Sequence, residues 1–140
     1  MLQKNHHFLF PETYFGSGRN EYLANGFKFI AGEQVFDTST DIKVNKLYLT
    51  GKWNFDKEYA ENIDAGSIIF RYNAKNVYFV ASSTNNVTLT VKVDGKEILG
   101  DNIINDERLY NIVSGNDYGV HTLTINANKP GLRAFTFTFG

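Results

Sequence analysis

The chain has 140 residues, 14 Lys plus Arg against 15 Asp plus Glu, a net charge of −1, and no cysteine. That length holds one domain, and 42% hydrophobic residues are enough for a core without staples. The missing cysteines exclude disulfides, thiolate metal sites and thiol chemistry. The near-zero charge gives no electrostatic reason to expect nucleic acid or an anionic membrane, and no apolar run approaches the roughly 20 residues that cross a bilayer.

In chain order, residues 1–9 read as a flexible polar leader, with neither the apolar stretch nor the cleavage site of an export signal in this chain. The pair His6-His7 within it is too weak a feature to nominate a metal site. A single domain is predicted over 10–140. Gly16-Ser17-Gly18 looks like half a phosphate loop but lacks the Lys-Ser/Thr and the strand–loop–helix setting, so it reads as a turn. Short helical turns are predicted within 21–25 and 55–63, and weak strands at 28–31 and 34–36. A firmer strand covers 46–53.

Residues 67–72 and 77–81 are almost continuously apolar and read as central strands covered on both faces, with a turn at 73–76 between them. Residues 87–93 alternate apolar with Thr and Lys, the pattern of a strand with one wet face. Asp94-Gly95 is a strong hairpin signal, because a type I′ turn needs positive φ at both central positions. A short edge strand is expected at 109–113, a turn at Gly115-Asn116-Asp117, a strand at 121–127 and a turn at 128–131. The last strand, 134–139, alternates Phe with Thr, which turns Phe135, Phe137 and Phe139 to one face. It runs to Gly140, so the C-terminus is expected to belong to the fold. Sixteen Asn and 12 Gly supply turns, and two Pro leave the strands uninterrupted. The fold class is all-β: an antiparallel β-sandwich of eight to ten short strands, a jelly roll.

Little in this pattern is catalytic. His121 opens a strand and reads as a hydrogen-bonded structural residue. Asp101, Asp106 and Glu107, and separately Asp37 and Asp41, read as solvated loop acids, with Ca²⁺ ligation the alternative. No pair of carboxylates is placed for glycoside hydrolysis and no Ser lies in a nucleophile elbow, so no enzyme, cofactor or metal site is nominated. Aromatic and Arg side chains are what remain. Rings that stack on sugar faces, flanked by groups that bond hydroxyls, are what a glycan site requires. The candidate ligand-binding residues are Tyr14, Arg19, Trp53, Tyr59 and Arg71. Each has a plain structural alternative: a lone Trp is commonly core, and an Arg within a strand commonly pairs with a carboxylate across the sheet.

Several segments together carry a resemblance. Phe10-Pro11-Glu12-Thr13-Tyr14-Phe15-Gly16-Ser17-Gly18-Arg19, then Leu47-Tyr48-Leu49-Thr50-Gly51-Lys52-Trp53 followed by Glu58-Tyr59-Ala60, and finally Pro130-Gly131-Leu132-Arg133-Ala134-Phe135-Thr136-Phe137-Thr138-Phe139-Gly140, occur in the order found in one family. The chain resembles, from about residue 10 to 140, the domain that follows the thioredoxin-like domain in DipZ-type and related redoxin-family proteins. The resemblance implies a jelly-roll sandwich similar to carbohydrate-binding modules and an extracytoplasmic setting. It also implies a non-catalytic accessory role. Two partners follow: a glycan, or the thioredoxin-like domain itself through docking, with dimerisation as a variant of the second.

Overall fold

Two long strands organise the molecule. In the computed structural model, which describes residues 11–140, β5 (Gly66–Ser83) and β9 (Arg108–Ala127) pair antiparallel over most of their lengths, from Gly66 opposite Ala127 to Ala81 opposite Arg108. The other strands are β1 (Thr13–Tyr14), β2 (Gly32–Phe36), β3 (Leu47–Phe55), β4 (Ala60–Asn62), β6 (Val87–Val93), β7 (Lys96–Ile98), β8 (Ile103–Ile104) and β10 (Leu132–Phe139). All their pairings are antiparallel.

The β5–β9 ribbon changes register between Ala74 and Asn76 and again between Val77 and Tyr78. Before this corner the buried residues of β5 are Ile68, Phe70, Tyr72 and Ala74; after it they are Val77, Phe79 and Ala81. The alternation thus slips by one residue, as a bulge requires. The first half of the ribbon is flanked by β3 on the β5 side and by β6 and β7 on the β9 side, while the second half of β5 is flanked by β10 and then β1. Phe70, in the first half, packs its ring 5.7 Å from Phe137 and 5.6 Å from Phe139. Those two residues sit on β10, beside the second half. The inner faces of the two halves therefore oppose each other, and the fold is an all-β sandwich closed around one aromatic core.

The corner corrects two sequence expectations. The turns predicted at 73–76 and 115–117 both lie inside continuous strands. Their Asn and Gly residues serve a bend instead: a Cβ on Gly115 would fall 2.4 Å from the Lys75 carbonyl oxygen, so the two strands approach closely only because that position is bare. Gly140 closes the corner from outside, its carbonyl accepting from the Lys75 and Asn76 amides and its own amide donating to the Asn76 carbonyl. Residues 109–113, expected as a short edge strand, are the start of β9 and pair with β5. Neither predicted helical turn becomes a helix: 21–22 is a single turn closed by the Leu23 amide donating to the Asn20 carbonyl at 3.1 Å, and 60–62 is strand β4. Residues 28–31, expected as a weak strand, are an exposed loop. The hairpin at Asp94-Gly95 forms as predicted, with φ of 52° and 83° between the paired Val93 and Lys96. The predicted leader lies outside the described residues.

Candidate ligand groove

A concave feature is built where the first described strand meets the last. Tyr14 pairs with Thr136, and because side chains alternate, Thr13 and Phe15 point inward while Tyr14 faces out. Phe15 anchors the segment, its ring 5.2 Å from Phe137 and 5.9 Å from Phe79. The chain then turns at 16–19 and lies on the 56–58 loop, the Ser17 amide donating to the Asp56 carbonyl at 2.8 Å and the Gly18 amide to the Lys57 carbonyl at 2.9 Å. The turn brings Arg19 back over Tyr14, its guanidinium carbon 3.7 Å from the ring centroid. The Tyr14 hydroxyl donates to Glu12 at 2.6 Å, and this bond, more than burial, raises its pKa above the usual phenol value.

More of the apolar lining comes from β10, the strand with which Tyr14 pairs. Its register against β5 slips between Ala134 and Thr136, so Phe135 is the extra residue of a bulge. Phe135 is half-buried and lines the outside of the sheet, where simple alternation had turned it inward with Phe137. Tyr59 packs against it with centroids 5.2 Å apart. Arg133 lies 5.0 Å over Tyr59 and its Nε donates to Glu61 at 2.9 Å. Together these segments form a groove of about 420 Å³, lined by Tyr14, Gly16, Gly18, Arg19, Lys57, Glu58, Val80, Phe135 and Thr136.

Of the five residues nominated from sequence, Tyr14 and Arg19 line this groove and Tyr59 borders it through Phe135. Trp53 does not take part and is corrected to a core residue. It is 0% exposed, and its indole N–H donates to the Thr50 carbonyl at 2.8 Å. The Gly51 that precedes it adopts φ of +89° with the Ala65 carbonyl 2.6 Å from where a Cβ would be, so the Leu-Thr-Gly-Lys-Trp segment is a packing device. Arg71 is exposed but stands apart from the groove, on the first half of the ribbon, where it donates to the Thr122 hydroxyl at 3.4 Å. The cross-sheet carboxylate expected for it is absent from ion-pair range among the described residues. Phe135, Lys57 and Glu58 were missed. The two charges sit in a loop with no pattern of its own, and only the bulge brings Phe135 outward.

Arg71 belongs to a second cluster at the Asp94-Gly95 hairpin. One Asp94 oxygen accepts from the Thr122 amide at 2.8 Å, and the other lies 2.7 Å from His121 Nδ1, so His121 is hydrogen-bonded as expected. The Thr122 amide first, then His121, hold the Asp94 carboxyl below its usual range. Burial, followed by the nearby Asp94 charge, pushes the Tyr72 phenol beside His121 up to about 12. A lowered carboxyl pKa contributes stability that is present above the unfolded value of about 3.9 and lost as pH falls through the lower folded value. Asp94→Asn is therefore expected to reduce stability at pH 7 and to flatten the acid limb of the stability profile below about pH 4. Urea denaturation across that range checks this, and an unchanged acid limb would refute it. Three of the loop acids are engaged locally: Asp101 accepts from the Asn111 amide, Asp106 pairs with Arg108 and Asp41 with Lys43. Among the described residues no three His, Asp or Glu side chains converge in a way that could hold an ion.

Residues 10–140 match the family described as "Thioredoxin like C-terminal domain". Two curated relatives, each named Protein DipZ, from Mycobacterium bovis and Mycobacterium tuberculosis, are 36% identical over 134 residues. Each match covers 94% of this chain and 19% of the relative, so the chain spans about a fifth of their length. Among solved structures, a family two carbohydrate esterase from Cellvibrio japonicus superposes with a TM-score of 0.50 at 12% identity, over 93% of this chain and 33% of that one. At that identity the likeness concerns the fold alone.

Proposed function

Because the chain belongs to the thioredoxin-like C-terminal domain family, as found in DipZ, we propose that it is a non-catalytic accessory domain whose groove binds a glycan. The observation that carries this reading is the composition of the groove. Tyr14 and Phe135 offer ring and edge surface in its lining, and Arg19, Lys57, Glu58 and Thr136 set donors and acceptors around them. A pyranose has an apolar face of C–H bonds and an equatorial rim of hydroxyls, and such a mixed lining matches both. The fold-level likeness to a carbohydrate esterase agrees with the reading but cannot carry it. With no cysteine, the domain has no dithiol of its own to contribute to a thioredoxin-like protein; its contribution is binding and positioning. The same reading sets it to work outside the cytoplasm. No helix among the described residues is long and apolar enough to cross a membrane.

The test is calorimetric titration with a panel of neutral and acidic oligosaccharides. Trp53 fluorescence is the wrong probe, since that ring is sealed in the core. At least one oligosaccharide is expected to bind. Phe135→Ala is expected to weaken it about tenfold or more, the scale of a lost aromatic contact of about 1.4 kcal/mol. A panel without heat at millimolar protein, or binding indifferent to Phe135, would remove the groove from consideration.

A further inference from the structure

On a different part of the surface, loop 26–31 leaves three large apolar side chains in water: Phe27 is 76% exposed, and Phe29 and Ile30 are each 55% exposed. Val35, on the outer face of the adjoining β2, is 75% exposed. Isolated exposed hydrophobics are ordinary, but three within four residues are not. Nor is the loop slack. The Gln34 side chain closes on the Phe27 peptide from both ends, its Nε2 donating to the Phe27 carbonyl at 3.0 Å and its Oε1 accepting from the Phe27 amide at 2.9 Å. The Phe29 amide donates at 2.7 Å to Asn20, which is fully buried. Phe29 itself is held at φ of 63°, a left-handed conformation that disfavours a bulky residue. Two side-chain clamps and a strained backbone thus hold an apolar surface outward, the preorganisation expected of a binding face. Beside it, β2 pairs only with β3 among the described residues, so its other edge carries unpaired backbone groups.

We infer that the Phe27–Ile30 loop and the β2 edge dock the thioredoxin-like domain that the family carries ahead of this one. Three observations select that occupant. The chain spans 19% of its DipZ relatives, and the family is described by its position C-terminal to a thioredoxin-like part. The surface is small: four side chains fall far short of the roughly 20–30 residues a side that a freely associating dimer uses. A domain on the same polypeptide needs less, because the linker supplies a local concentration on the order of millimolar. The loop and strand carry one cation, Lys28, and one anion, Glu33, which pairs with Lys52 at 3.2 Å; the single positive charge left over is far from the cluster of basic residues that draws a surface to an anionic bilayer. This docking is independent of what the groove binds.

The experiment is a titration of the isotope-labelled 140-residue chain with a thioredoxin-like domain from a DipZ-type protein, followed by amide chemical shifts. Saturable shifts are expected in residues 26–36, with Kd of about 1 mM or tighter. Phe27→Ser and Ile30→Ser, at exposed positions, are expected to keep a folded spectrum and to weaken docking about tenfold or more. Leu99→Ser removes an apolar side chain that is 91% exposed on the segment between β7 and β8, and it is expected to change nothing. The inference is overturned by any of four results: no shifts at several millimolar, shifts confined to other residues, equal weakening by Leu99→Ser, or movement of the same amides with the chain's own concentration. Co-sedimentation of the wild-type chain, but not Phe27→Ser, with phosphatidylglycerol vesicles would also overturn it in favour of a lipid surface.

Discussion

Trp53→Ala is expected to lower the unfolding free energy by about 3–5 kcal/mol, the cost of removing a large aromatic from a closed core. The ring has no exposed surface, and its neighbours cannot collapse onto the space it leaves. One wall is backbone: Gly66 approaches the indole so closely that a Cβ there would lie 3.1 Å from Nε1, and Gly51 is fixed at positive φ against the Ala65 carbonyl. The substitution also strands the Thr50 carbonyl that accepts the indole N–H. Tyr59→Ala provides the comparison. That ring is only half-buried against Phe135, and its loss should cost less than half as much. Urea titrations of both variants decide the matter; a Trp53→Ala protein within about 1 kcal/mol of wild type would mean the ring is not the core element assigned here.

That contrast shows what was legible beforehand. Strict alternation over 87–93 and 121–127 placed Val87, Leu89, Leu123 and Ile125 in the core, because period-two patterning is a local signal. The Asp94-Gly95 turn was equally local. The family was readable across nearly the whole chain from ordered motifs whose glycines have backbone reasons. The Tyr14–Arg19 stack was readable in part, since both residues were candidates and Gly16-Ser17-Gly18 between them read as a turn. The corner of the ribbon was not. Asn and Gly serve turns and bulges alike, and whether residues 73–76 reverse the chain or bend it depends on what packs across them, here Gly115 and Gly140. The same ambiguity hid Phe135, since an unbroken Phe-Thr alternation gives no sign that the register slips at residue 135. Residues 28–31 misled for a related reason: Lys-Phe-Ile-Ala has apolar and aromatic composition that suits a strand, while Asn20 and Gln34, nine and seven residues from the groups they bond, hold the loop in another conformation.

Gly16→Ala is the second large effect, and the one that joins stability to the groove. A Cβ at Gly16 would lie 2.3 Å from both the Glu58 carbonyl carbon and the Lys57 carbonyl oxygen. Both obstacles are backbone, so no side-chain rotation relieves the clash, and the 16–19 turn must lift from the 56–58 loop. Lifting it breaks the Ser17–Asp56 and Gly18–Lys57 bonds and withdraws Arg19 from the Tyr14 ring. Overpacking plus two lost backbone bonds is expected to cost roughly 2–4 kcal/mol. The groove should open at the same time, because Gly16, Gly18 and Arg19 all line it. Gly18→Ala separates the two consequences. Its Cβ would meet the Lys57 oxygen at 3.0 Å from an exposed position, a contact that a small shift relieves. That variant should fold nearly as stably as wild type while crowding the groove floor. Chemical denaturation paired with oligosaccharide titration of the two variants reads both effects. If Gly16→Ala unfolds at the wild-type midpoint, the turn is not held against the 56–58 loop as described, and the groove loses the element that positions its arginine.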